Sequence, residues 1–134
     1  MIASVLLPIA LFLPLAPAAE HASLARLTAG ARVVAVTPTG ERRATLESWS
    51  GEACVSRIAL RLEDGRARAP TLDWSAPDLD FDAGRAGMTV SMRARFGGEA
   101  GGIEALSLRL TSEEEAADTL RALRSLRLAC APLR

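Results

Sequence analysis

Residues 88–130 read MTVSMRARFGGEAGGIEALSLRLTSEEEAADTLRALRSLRLAC, and their periodicity decides the fold. From Met88 to Phe96 the apolar residues recur at every second place. Met88, Val90, Met92, Ala94 and Phe96 therefore share one face, and Thr89, Ser91, Arg93 and Arg95 share the other, the period of a half-buried strand. The glycine-rich stretch Gly97 to Gly102 predicts a flexible hairpin loop. Ile103 to Leu110 predicts the return strand, with Leu106, Leu108 and Leu110 inward and Ser107 and Arg109 outward.

The period then changes to that of a helix. Ser112 followed by Glu115 is a capping-box signature, and Glu113, Glu114 and Glu115 sit where the helix dipole favours negative charge. Ala116, Leu120, Leu123 and Cys130 fall on one face of that helix, with Leu126 at its margin. Arg127 projects onto the same apolar face, which predicts that the regular helix loosens near Leu126. Pro132 ends it.

Upstream, Ala31 to Thr37 is apolar and β-branched and runs into the turn Pro38-Thr39-Gly40, predicting a first strand. Arg43 to Trp49 alternates, with Arg43, Thr45, Glu47 and Trp49 on one side and Ala44, Leu46 and Ser48 on the other. Val55 to Leu62 places Ile58, Leu60 and Leu62 on one face and Arg57, Ala59 and Arg61 on the other. Between Arg66 and Gly87, Pro70 and Pro77 restrict Thr71–Trp74 and Asp78–Asp82 to edge strands or extended loops. Strands followed by one amphipathic helix define an α+β domain. The expected form is an antiparallel, curled sheet or partly open barrel of about 5–7 short strands, with the C-terminal helix packed on it.

The chain of 134 residues has room for one such domain and an uncharged leader. Residues 1–18, MIASVLLPIALFLPLAPA, carry an apolar run from Val5 to Leu15 and end in Ala16-Pro17-Ala18, a small-x-small pattern that predicts a cleaved secretory signal peptide. Residues 19–134 form the exported domain, periplasmic or secreted, with no transmembrane span in the mature form. In that oxidising setting the two cysteines, Cys54 and Cys130, predict one disulfide. It closes a loop of about 77 residues, for which the chain-entropy relation gives at most about 4.5 kcal/mol.

Charge excludes some partners. Sixteen cations, all arginine, balance sixteen carboxylates, so a nucleic-acid partner, which needs a net basic footprint, is not expected. The only histidine, His21, lies near the predicted mature N-terminus and is expected to be an exposed tail residue with no catalytic part. Asp78, Asp80 and Asp82 begin like a calcium loop, but Ala83 and Thr89 stand where an EF-hand needs glycine and glutamate. No metal or cofactor is expected, and the three aspartates are expected to line one solvated side of a strand with Leu79 and Phe81 turned inward. Trp49 and Trp74 are expected in the core.

The remaining cluster is cationic. Arg57, Arg61, Arg93, Arg95 and Arg109 all point outward from predicted strands, and guanidinium groups form bidentate bonds with carboxylate and phosphate. If those strands are neighbours, the five make an anion-binding face; otherwise Glu63, Glu104 and the Asp78–Asp82 strand neutralise them. The sequence therefore reads as a small exported, non-enzymatic binding or accessory domain, meeting an anionic envelope component or protein partner through arginine. The alternatives are a structural envelope protein or inhibitor acting through a protein interface, and an enzyme using the Asp78, Asp80 and Asp82 carboxylates.

Overall fold

The computed structural model describes residues 16–84 and 87–131. The predicted leader falls outside these up to residue 15; its last three residues open a helix, α1 (Ala16–Thr28). Pro17 sits in the first turn, where its missing N–H costs no helical hydrogen bond. Eight strands follow: β1 (Arg32–Thr37), β2 (Gly40–Glu52), β3 (Val55–Leu62), β4 (Ala67–Asp73), β5 (Asp80–Ala83), β6 (Thr89–Arg93), β7 (Gly97–Glu99) and β8 (Ala105–Arg109). A second helix, α2 (Glu113–Cys130), closes the order. The α+β class and the single antiparallel, unclosed sheet agree with the sequence; the strand count is higher and there is a helix at each end.

The sheet order is β5-β6-β8-β1-β2-β3-β4-β7, and every recorded pairing is antiparallel. Strands β6 and β8 do pair as predicted, Val90 opposite Leu108 and Met92 opposite Leu106. The glycine stretch between them is more than a loop, because Gly97–Glu99 leaves to pair with β4 at the far edge. This excursion forces the curl. In a flat sheet, β6 and β7 would be six strand spacings apart, roughly 29 Å. The four steps from Arg93 to Gly97 reach only about 14 Å, so the two edges must approach each other.

Inward residues meet in register rows. Leu108 faces Val33 and Val90, Leu106 faces Ala35 and Met92, and Leu46 faces Leu60, all at most 2 % exposed. Strand β2 departs from strict alternation. Glu47 is an extra residue in β2, since Leu46 pairs with Leu60 and Ser48 with Ala59. The bulge shifts the later residues by one place, so Trp49 pairs with Ile58 and is buried at 2 % exposure. It does not share the outer side of Arg43 and Thr45 as simple alternation predicts. Pro70 lies inside β4, which is paired on both sides and so is not the edge strand or loop expected; the β3–β4 pairing skips the proline, and only the three-residue edge strand β7 meets it on the other side.

Helix α2 begins at Ser112, whose side chain accepts from the Glu115 N–H at 3.1 Å. The helix does not loosen near Leu126. Leu126 is fully buried, and Arg127 turns its guanidinium onto the chain between β4 and β5, donating to the Trp74 and Ala76 carbonyls at 2.7 Å each. Regular helix therefore reaches Cys130, which bonds to Cys54 across a Cα separation of 5.7 Å. Cys54 stands in the two-residue turn between β2 and β3, beside Ala53 at φ 52°. Helix α1 packs on β2 and on α2. Among the described residues no helix is long and apolar enough to cross a membrane.

Candidate functional site

Directly opposed residues of antiparallel strands point to the same side of a sheet, so the register defines the outer face. One row reads Thr89, Arg109, Arg32, Thr45 and Arg61 across β6, β8, β1, β2 and β3. The next row carries Ser91, Ser107, Val34 and Arg43. Four arginines, Arg32, Arg43, Arg61 and Arg109, line an open groove of about 660 Å³ together with Thr45, Thr89 and Ser107 and one carboxylate, Glu63, which the sequence offered as a neutraliser and which forms no ion pair with them among the described residues.

Electrostatically the four are not alike. Arg61 lies 3.4 Å from the Glu47 carboxylate and donates to the Gly65 carbonyl at 3.0 Å. Arg32, Arg43 and Arg109 make no ion pair or side-chain hydrogen bond among the described residues. Arg32 and Arg109 are direct cross-strand partners, a mildly repulsive arrangement in water that strengthens as the local dielectric falls. A bound anion would reverse the sign of that term and offer each fork its bidentate acceptor.

Of the five arginines singled out from sequence, Arg61 and Arg109 enter this groove. Arg57 is outward on β3, opposite Ser50, near the other end of the strand. Arg93 faces outward at the end of β6, where its cross-strand partner is Asp80. Arg95 lies beyond β6, its side chain 94 % exposed and 3.4 Å from Asp78. Sequence reasoning missed Arg32, because Val34 and Val36 on the same side made β1 look wholly apolar. Arg43 showed the right alternation with Thr45, but nothing local placed its strand between β1 and β3.

The aspartates behave as expected. Asp78, Asp80 and Asp82 are exposed, whereas Leu79 is buried and Phe81 lies edge-on to Trp74 with ring centroids 6.0 Å apart. Hydrogen bonds from the hydroxyl and backbone N–H of Ser75 hold the Asp73 carboxyl below its ordinary value. Among the described residues no group of three or more His, Cys, Asp or Glu side chains is arranged to hold a metal.

A second polar cluster lies under α1, and here the expectation for His21 fails. His21 is only 5 % exposed, and its Nε2 lies 2.8 Å from Ser56 Oγ. Trp74 Nε1 donates to that same oxygen at 2.8 Å. An indole N–H can only donate, so Ser56 accepts from Trp74 and its own proton is free for His21 Nε2. That arrangement suits a neutral ring, and burial pushes the His21 pKa below its ordinary value of 6.5 while the Pro17 carbonyl acts in the opposite direction. The carbonyl does not complete a hydrogen bond, since Nδ1 has no partner among the described residues. Ser56 is fully buried, which closes its hydroxyl to a substrate; the pair fastens α1 to the sheet.

Known proteins add no further constraint: no protein-family model, curated protein or solved structure matches this chain.

Proposed function

We propose that the chain is an exported, non-enzymatic binding module that holds an anionic partner on the outer face of its sheet. The observation carrying this reading is the set of three guanidinium groups, Arg32, Arg43 and Arg109, left without side-chain partners among the described residues in one groove beside Arg61. Arg32 and Arg109 supply the nearest pair of forks, Arg43 lies one row away, and Thr45, Thr89 and Ser107 offer neutral hydroxyls between them. The setting is the periplasm or the cell exterior, in keeping with the Cys54–Cys130 disulfide and the leader read from residues 1–18.

The test is fluorescence anisotropy with a labelled sulfated or carboxylated probe at about 0.15 M salt, where loose surface attraction is screened. Each charge-assisted contact contributes about 1.5–3 kcal/mol, so Arg32→Gln or Arg109→Gln should weaken binding by roughly tenfold or more. Arg57→Gln, outside the groove, should leave it within about twofold. Equal losses at all three positions, or no binding by the parent protein, would overturn the reading. The leader is checked separately: mass spectrometry of the exported protein should find Ala19 at the N-terminus, and a retained Met1 would refute cleavage.

A further inference from the structure

We infer that the anion taken by this groove is a linear acidic polysaccharide, carboxylated or sulfated, lying across the strands along the row Thr89, Arg109, Arg32, Thr45 and Arg61. This rests on the proposed anion-binding function and names its ligand class. The row crosses five adjacent strands in register. Neighbouring strands are about 4.8 Å apart, so Arg109 and Arg32 stand about one such step apart and Arg32 and Arg61 about two. One step is close to the length of a pyranose unit in an extended chain. A compact anion could bridge Arg109 and Arg32, but only a ligand with repeating charge can also reach Arg61, where it competes with the half-exposed Glu47 carboxylate, a surface pair worth about 1 kcal/mol or less.

The groups between the arginines match such a ligand. Thr45 interrupts the cationic row and Thr89 ends it, with Ser107 in the adjoining row, so sugar hydroxyls meet protein hydroxyls between the charged contacts. Both tryptophans are buried, which leaves charge and hydrogen bonding, rather than stacking, to hold the sugar. The same face is poorly suited to the other anionic partners. A lipid surface would be expected to take up exposed apolar side chains, yet the large exposed ones, Val55 and Leu128, do not line the groove. An acidic protein interface is normally anchored by buried aromatic residues, and the groove has none.

The row spans about four strand spacings, roughly 19 Å, so it accommodates about four sugar units. Isothermal titration with galacturonic acid oligomers of increasing length should show affinity rising by about tenfold from dimer to tetramer, as one more charged contact is made, and then levelling off. Arg61→Gln should remove most of that rise, whereas Arg57→Gln, outside the groove, should leave it intact. Inorganic phosphate and phosphatidylglycerol vesicles serve as competing probes. If affinity is independent of oligomer length, or if phosphate or vesicles bind more tightly than the tetramer, the glycan assignment is overturned while the anion groove stands. If none of the three anions binds, the proposed function fails with it.

Discussion

The imidazole of His21 occupies the space in which Gly51 would carry a β-carbon. Helix α1 thus approaches β2 at the one residue type that lets the ring lie against the strand, and the same ring reaches Ser56 on β3. A histidine near the start of the chain becomes the peg that seats the N-terminal helix.

Replacing Gly51 by alanine should therefore unseat the peg. A methyl group there overlaps the His21 ring, an overpacking that costs about 1–3 kcal/mol. Urea unfolding measures the loss. Combining Gly51→Ala with His21→Ala should cost less than the sum of the two single changes, because the ring that clashes is gone; additive costs would mean the two residues do not meet.

Stability should fall between neutral and mildly acidic pH because of His21. Well above 6.5, its ordinary value, neither the folded nor the unfolded chain protonates it appreciably, and its contribution is complete. As pH falls from 6.5 towards the lower folded-state value, the unfolded chain takes up a proton that the folded chain excludes. There is one histidine in the chain, so the assignment is clean. Melting temperature should drop between about pH 7.5 and pH 5.5 in the parent and much less in His21→Ala. Equal drops in both would place the effect elsewhere.

Reducing Cys54–Cys130 should be the costliest single change. The bond ties the β2–β3 turn to the last turn of α2 across a sequence separation of 76, and losing such a bridge costs about 2–5 kcal/mol. Urea midpoints with and without a phosphine reductant measure it. Cys54→Ala with Cys130→Ala should match the reduced protein, and unchanged midpoints would contradict the prediction.

Arg127→Met should destabilise the link between β4 and β5. The side chain is half-buried and its guanidinium donates to the Trp74 and Ala76 carbonyls. Leaving those acceptors short of a charged donor costs about 1–3 kcal/mol. Because Trp74 is fully buried, its near-ultraviolet circular dichroism should change too; an unaltered spectrum and midpoint would mean that water replaces the arginine at no cost.

Relaxing Ala53 should work in the opposite direction. At φ 52° this residue holds the left-handed conformation, which costs an L-residue with a β-carbon about 1–2 kcal/mol and glycine very little. Ala53→Gly should raise the thermal midpoint slightly, offset by glycine's greater freedom in the unfolded chain. A clear loss of stability would count against strain in this turn.

The sequence by itself determined what depends on neighbours along the chain. The alternation of Val90 and Met92 with Ser91 and Arg93 set the core side of β6, the Ser112 cap started α2, and two cysteines allowed one bridge. It determined that arginines face outward, but not which of them meet. That was decided by strand order, a property of pairings between residues far apart in sequence. β1 and β2 come between β8 and β3, which brings Arg32 and Arg43 in beside Arg109 and Arg61 and leaves Arg57, Arg93 and Arg95 at the margins. The bulge at Glu47 likewise depends on how β2 lies against β3, and only there does Trp49 turn inward. His21 was misjudged for the same reason: its partners Gly51 and Ser56 lie thirty or more residues away, and burial is a relation between surfaces that no local pattern around His21 announces.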